Sequence, residues 1–205
     1  MFLPPVGYYR LIARARSVVI DGSQRFDKRF KAAHRCTIAD VRGRANLTVP
    51  IEKPTSMTAA RWSDILISDH NHWWTQALET LKSAYGRTPF FEFYLDAFEP
   101  FFAPSVAGRP LVDYNQALDH LCRRLIGLQT PVAYNSDPSL SAYNSDPETC
   151  AATSVAAPKS VVRDFEIPDQ QPYYQVRALD QGFHPGLSIV DLLFNLGPES
   201  LLYLR

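Results

Sequence analysis

The densest chemistry in this sequence is a run of cations. Arg25, Lys28, Arg29, Lys31 and Arg35 fall within eleven residues, and Asp27 is the one carboxylate among them. Two readings fit. Charge runs commonly form a solvated face, here one that pairs with the acidic remainder of the chain. The sharper reading is an anion site, because guanidinium groups take phosphate bidentately and with fixed geometry. Asp21 ends a short β-branched run just upstream, and α/β folds place ligands beyond the carboxyl ends of their strands.

His34 and Cys36 follow at once. Two apart on a strand, they share a face. A thiol near several cations can be a lowered-pKa nucleophile, with the imidazole as its base. The plainer reading makes Cys36 a small buried hydrophobe at the start of a hairpin. His70 and His72 flank Asn71, but a metal site needs three or four ligands and no further clustered set accompanies them, so no metal site is expected. Trp73-Trp74 reads as core on one side and rim on the other, although an aromatic ring can also stack on an apolar ligand face. Asp191 and Asn195 lie four apart on one helical face and could point into a site. Capping also explains Asp191, since Ser188 stands three residues before it. The sequence contains no GxGxxG, GxxxxGK[ST], GxSxG or HExxH, and nothing in it names a cofactor.

The elements that must position these residues follow from periodicity. After the turn Leu3-Pro4-Pro5, Tyr8, Leu11, Ile12 and Ala15 predict one helical face. Ser17 to Asp21 predicts a short buried strand. Cys36–Ala39 and Ala45–Pro50 flank Arg42-Gly43-Arg44 and predict a hairpin. Ile65 and Ile67 suggest one more strand. Asp69 to Asn71 offer capping for a helix through Trp73, Trp74, Ala77, Leu78 and Leu81. Pro89 opens a helix carrying Phe91, Tyr94, Leu95 and Phe98. Leu111 to Ile126 keeps a helical stripe and stops at Gly127. Leu187, Val190, Leu193 and Phe194 predict a buried helix that ends at Gly197-Pro198.

Between them, Ala133-Tyr134-Asn135-Ser136-Asp137-Pro138 recurs nine residues later as Ala142 to Pro147. Ser, Pro, Ala and Asp dominate there and apolar periodicity is lost. A tandem duplication in a flexible loop fits that composition, and so does a repeated ligand-binding turn. The expectation is an α/β protein with a mixed sheet near the N-terminus and a helical second half. Its single compact domain would have a core over 1–128, a loop over 129–172 and a segment over 173–205 that packs back.

A chain of 205 residues with 46% hydrophobic and 12% aromatic content builds a sizeable core. The net charge of zero argues against a general nucleic-acid binder. That balance hides an asymmetry. Residues 1–53 hold eleven Lys or Arg against four Asp or Glu, so the acidic excess lies in the rest. No run approaches a membrane span, Pro4-Pro5 interrupts any leader, and three scattered cysteines make no disulfide framework. A cytoplasmic, reduced protein is expected.

Taken in order, these motifs resemble the WbqC-like protein family. The resemblance rests on Leu3 to Tyr9, Ile20-Asp21, the cationic run ending His34-Arg35-Cys36, and Leu47-Thr48-Val49-Pro50-Ile51. It continues through Ile67 to His70, Trp73, Ala84 to Tyr94 and Leu111 to Asn115. It closes with Tyr174-Gln175, Phe183, Pro185 and Leu187 to Asn195. The chain departs from the pattern in having almost no strand before the proline pair, and in carrying His34, Ala32-Ala33 and Ala77-Leu78 at characteristic positions. The resemblance implies a bacterial protein of O-antigen or related surface-polysaccharide biosynthesis, acting on a nucleotide- or pyrophosphate-linked sugar precursor. It transfers no catalytic residues. On that reading Lys28, Arg29 and Arg35 would hold phosphate, with Asp21 beside them, and Tyr8 and Trp73 would face the sugar or base. Two functions remain: a transferase, with His34 and Cys36 as its candidate catalytic groups, or a non-catalytic binding or scaffold protein of the same pathway.

Overall fold

The computed structural model describes residues 1–54, 56, 59–135, 165 and 170–205. Its centre is a helix from the far end of the chain, α6 (Ile189–Leu196), which follows the short α5 (Ala178–Gln181) and in which every residue from Ile189 to Asn195 is buried. A helix that is apolar on nearly all sides belongs inside a core. Around it stand α1 (Val6–Arg14), α3 (Phe91–Phe98), α4 (Leu111–Ile126), α7 (Ser200–Leu204) and the strand β2 (Arg35–Asp40). Phe194 is 1% exposed, its ring 5.2 Å from that of Tyr85, 5.1 Å from Phe91 and 5.5 Å from Phe98.

The two ends of the chain are joined through the entry to α6. Val6 N–H donates to the Leu187 carbonyl and Ile189 N–H to that of Pro4. Ser188 N–H donates to the Thr37 carbonyl, which adds β2 to the same junction. The Ser188 hydroxyl donates to Leu3 O at 2.8 Å, and its cap contact to Val190 N–H is long at 3.5 Å. Gly197 ends α6 at φ +55°, and a Cβ there would stand 2.5 Å from the Phe90 ring. Positive φ and a close approach both require glycine at that position.

Among the described residues the strands form two two-stranded sheets, one antiparallel and one parallel. β2 pairs antiparallel with β3 (Gly43–Thr48), joining Cys36 to Leu47 and Ile38 to Ala45, as the hairpin pattern predicted. β1 (Val18–Asp21) pairs in parallel with β4 (Val132–Asn135), which lies inside the segment expected to be loop. The rest of that segment's tandem repeat, with both Asp-Pro turns, lies outside the described residues. The protein is thus α/β, with β1 to β3 near the N-terminus and a helical second half.

Several expectations change in detail. β1 is not a buried strand, since Val19 is 65% exposed on an edge of the small sheet. The buried face of α1 is Val6, Tyr9 and Ile12, and Leu11 turns outward. Ile65 and Ile67 form no strand. Around them lie the isolated bridges of Ile51 with Ile67 and of Leu66 with Pro110. α2 (Trp73–Tyr85) begins without a side-chain cap, after Asn71 and His72 at φ +56° and +48°. Burial of Trp73 and Trp74, not capping, fixes where it starts. α3 begins at Phe91, past Pro89. α4 keeps the predicted limits, and Gly127 closes it at φ +79°.

Candidate functional site

Three constellations hold the polar chemistry. The first surrounds the Asp191 carboxyl, on α6. Asp191 is 1% exposed, so it does not serve as a capping-box partner at the helix surface. Its Oδ2 accepts from Tyr173 Oη at 2.5 Å and from Gln175 Nε2 at 3.0 Å. Gln175 Oε1 accepts from His184 N–H, and Asn195 Oδ1 accepts from Val176 N–H. Burial pushes the Asp191 carboxyl up from its usual range, while hydrogen bonds from Tyr173, Tyr85 and Gln175 pull the other way. The cavity beside it, between Ala39, Tyr85, Arg177 and His184, holds about 10 Å³. That is room for about one water. The network fastens residues 173–184 onto α6.

The second constellation lies where α1, α4 and β4 meet. Asp119 and Arg123, one turn apart on α4, form an ion pair at 2.8 Å. The Tyr134 hydroxyl, from β4, donates to the same Asp119 Oδ2. Tyr8 and Tyr9 approach from α1. Burial raises both phenols, and the Asp119 charge adds to the effect. Tyr8 stands edge-on to Tyr9 at 5.0 Å and to Phe165 at 5.4 Å. Tyr9 Oη and Asp119 Oδ1 are both buried and find no partner at full hydrogen-bond geometry among the described residues, although the Asp119 carboxylate still acts on the Tyr9 phenol.

The third is the cationic surface. Arg25, Lys28, Arg29, Lys31 and Arg35 are all exposed. Arg29 is held by Asp27, Nε to Oδ1 and Nη2 to Oδ2 both at 3.1 Å, which raises the guanidinium pKa further. Arg35 Nε donates to Thr48 Oγ1 across the hairpin. Arg25, Lys28, Lys31 and Arg35 form no ion pair among the described residues. Asp21 Oδ1 accepts from both the amide and the hydroxyl of Ser23. The Ser23 carbonyl in turn accepts from Arg61 Nη1 at 2.5 Å.

Arg61 is the residue the sequence reading missed. An isolated antiparallel bridge sets it directly opposite Arg25. The flanking bonds, Phe26 N–H to Ala60 O and Trp62 N–H to Gln24 O, make this a non-hydrogen-bonded pair, the closer of the two kinds. The only signal in the sequence was a second arginine beyond a run that carries no pairing pattern of its own. A groove of about 380 Å³ opens nearby, but Glu52 and Asp64 line it beside Lys53, so its wall does not complement an anion.

The remaining expected site residues are placed by packing. Trp73 is 5% exposed, edge-on to Trp74, Phe102 and Tyr114, with its Nε1–H donating to Ser68 O. The core thus takes the ring that the sequence offered to a sugar. Cys36 is buried, and loss of solvent pushes its thiol up to about 12. The cations beside it in sequence do not offset that burial, and such a thiol is a poor nucleophile at neutral pH. His34 Nδ1 lies 3.1 Å from the Val49 carbonyl, and burial lowers its pKa. Tyr8 is brought to Asp119, not to the cationic surface.

Among the described residues no group of three or more His, Cys, Asp or Glu could hold a metal, and no helix is long and apolar enough to cross a membrane. Comparison with curated proteins and with solved structures found no match. The model of the WbqC-like protein family matches residues 1–159, well over half of the sequence, in which the proline turn, β1, the cationic run, the hairpin and α2 to α4 all lie. The chain therefore belongs to the WbqC-like protein family.

Proposed function

We propose that this WbqC-like protein serves bacterial O-antigen or related surface-polysaccharide biosynthesis by binding a nucleotide- or pyrophosphate-linked sugar precursor, and that its cationic surface takes the phosphate. One observation carries this reading: the bridge that sets Arg25 opposite Arg61. Like charges directly across a strand pair repel and cost stability. A phosphate placed between two guanidinium groups relieves that repulsion and gains charge-assisted hydrogen bonds. On this reading the exposed Lys28 and Arg35 add positive charge, and Arg29 adds its own once Asp27 shares it.

The binding role stands ahead of a transferase role. His34 and Cys36, the candidate catalytic groups, are spent on a carbonyl and on burial. The carboxyl with the raised pKa, Asp191, faces space for about one water.

Titration calorimetry with UDP-glucose and UDP tests the reading. Arg25→Ala, an exposed change, should weaken both by about tenfold, the loss typical of one charge-assisted hydrogen bond. Added salt should weaken the wild type in the same direction. Affinity indifferent to both would overturn the phosphate site. Turnover of UDP-glucose with a sugar acceptor would bring the transferase role back.

A further inference from the structure

The phosphate reading leaves the groove of about 380 Å³ without a role. That volume suits part of a small molecule, since ligand pockets commonly run from about 300 to about 1,000 Å³. Its lining is of two kinds. Pro54, Ala60 and Leu66 are apolar, while Glu52 and Asp64 bring carboxylates beside Lys53. The backbone fixes where both acids stand. Glu52 N–H donates to the Leu66 carbonyl at 2.9 Å, next to the bridge of Ile51 with Ile67, and Asp64 lies two residues before Leu66. Asp64 is also tied to the arginine pair. Its Oδ2 accepts from the Arg61 N–H at 2.9 Å and its Oδ1 from the Ser63 hydroxyl at 3.2 Å. The wall of the groove and the backbone of Arg61 are thus one hydrogen bond apart. Glu52 is exposed and forms no ion pair among the described residues.

An ionised carboxylate only accepts hydrogen bonds, so what fills this groove must donate them. It must also tolerate Arg25 and Arg61 next door. A bare phosphate would meet the two carboxylates, and a polyamine would meet the two guanidinium groups. A molecule with hydroxyl donors at one end and phosphate at the other suits both places. We infer that the groove binds a vicinal diol of the sugar precursor. Glu52 and Asp64 accept from its hydroxyls through charge-assisted bonds, and the half-buried Pro54 and Leu66 lie against the apolar side of the ring. The inference rests on the precursor reading above and gives that ligand its second point of attachment. In a nucleoside diphosphate sugar the diol has two sources, the ribose and the hexose, and both stand close to the diphosphate.

Charge gives the test its sign. Glu52 repels an anion, so Glu52→Ala should leave the affinity for inorganic pyrophosphate unchanged or raise it. The same variant should weaken UDP-glucose by about tenfold, the loss typical of one hydrogen bond to a charged group. The thermal midpoint should hold, because the side chain is exposed. Titration calorimetry reads both ligands. UDP and 2′-deoxy-UDP then locate the diol. A loss with UDP that is absent with 2′-deoxy-UDP places the ribose in the groove, and a loss confined to UDP-glucose places the hexose there. If UDP-glucose fails to bind, or if Glu52→Ala leaves its affinity unchanged or raises it as for pyrophosphate, the inference is overturned. The two readings fail separately. Pyrophosphate affinity that falls with Arg25→Ala keeps the phosphate site even when Glu52→Ala has no effect on UDP-glucose. UDP-glucose affinity that falls with Glu52→Ala keeps the diol site even when Arg25→Ala and salt have none.

Discussion

Asp191 and Asp119 sit on neighbouring helices, both buried and both ringed by tyrosines, yet they end in different states. Around Asp191 each donor has a place. Tyr173 and Gln175 reach one oxygen, Gln175 also holds His184 N–H, and Asn195 holds Val176 N–H. Around Asp119 the ion pair with Arg123 and the Tyr134 bond satisfy one oxygen, and Tyr8 and Tyr9 approach the carboxylate from α1. A complete network fixes a fold, and its parts are costly to remove. The contrast separates a fastening built on neutral donors from one built on an ion pair, although both look alike as buried acids in a sequence.

The fastening is broken most severely through its apolar neighbour. Phe194→Ala should cost about 3–5 kcal/mol, because the ring fills space between Tyr85, Phe91 and Phe98 that cannot easily collapse. Urea unfolding measures it, and a cost below about 1 kcal/mol would mean that α6 is not the centre of the core. Tyr173→Phe strikes the network itself and should cost about 1–3 kcal/mol, since it leaves a buried carboxyl short of a donor. The same loss of one oxygen at Tyr9 should cost less, because Arg123 and Tyr134 still hold Asp119. Equal costs at the two tyrosines would erase the distinction drawn here.

A smaller effect sharpens it through pH. The folded pKa of Asp191 is raised above its ordinary value of 3.8. Its contribution to stability is therefore complete below 3.8 and is lost as pH rises through the folded value. His34 acts in the opposite sense. Its folded pKa is lowered below 6.5, so its contribution is present above 6.5 and is lost as pH falls through the folded value. Asp191→Asn removes the first effect and keeps the second. The stability difference, wild type minus variant, should fall as pH rises from 3.8. A difference independent of pH would show that burial does not raise the Asp191 carboxyl.

Much of the local structure was legible from residue spacing. The apolar stripe of α4 and its stop at Gly127, the hairpin around Gly43, and the buried helix ending at Gly197 need only neighbours a few residues away. Composition showed the cationic run and the long polar segment in the same way. What sequence could not decide was which surfaces meet. Arg25 faces Arg61 across 36 residues, and Tyr9 reaches Asp119 across 110. Packing set both pairings, since strand register and helix rotation follow the burial of distant apolar faces. The same burial drew Trp73 into the core and suppressed the Cys36 thiol, whatever charges stood beside them in the chain. Residue types and spacing thus determined the elements and the chemistry available. Tertiary structure decided which of those groups are desolvated and which are paired.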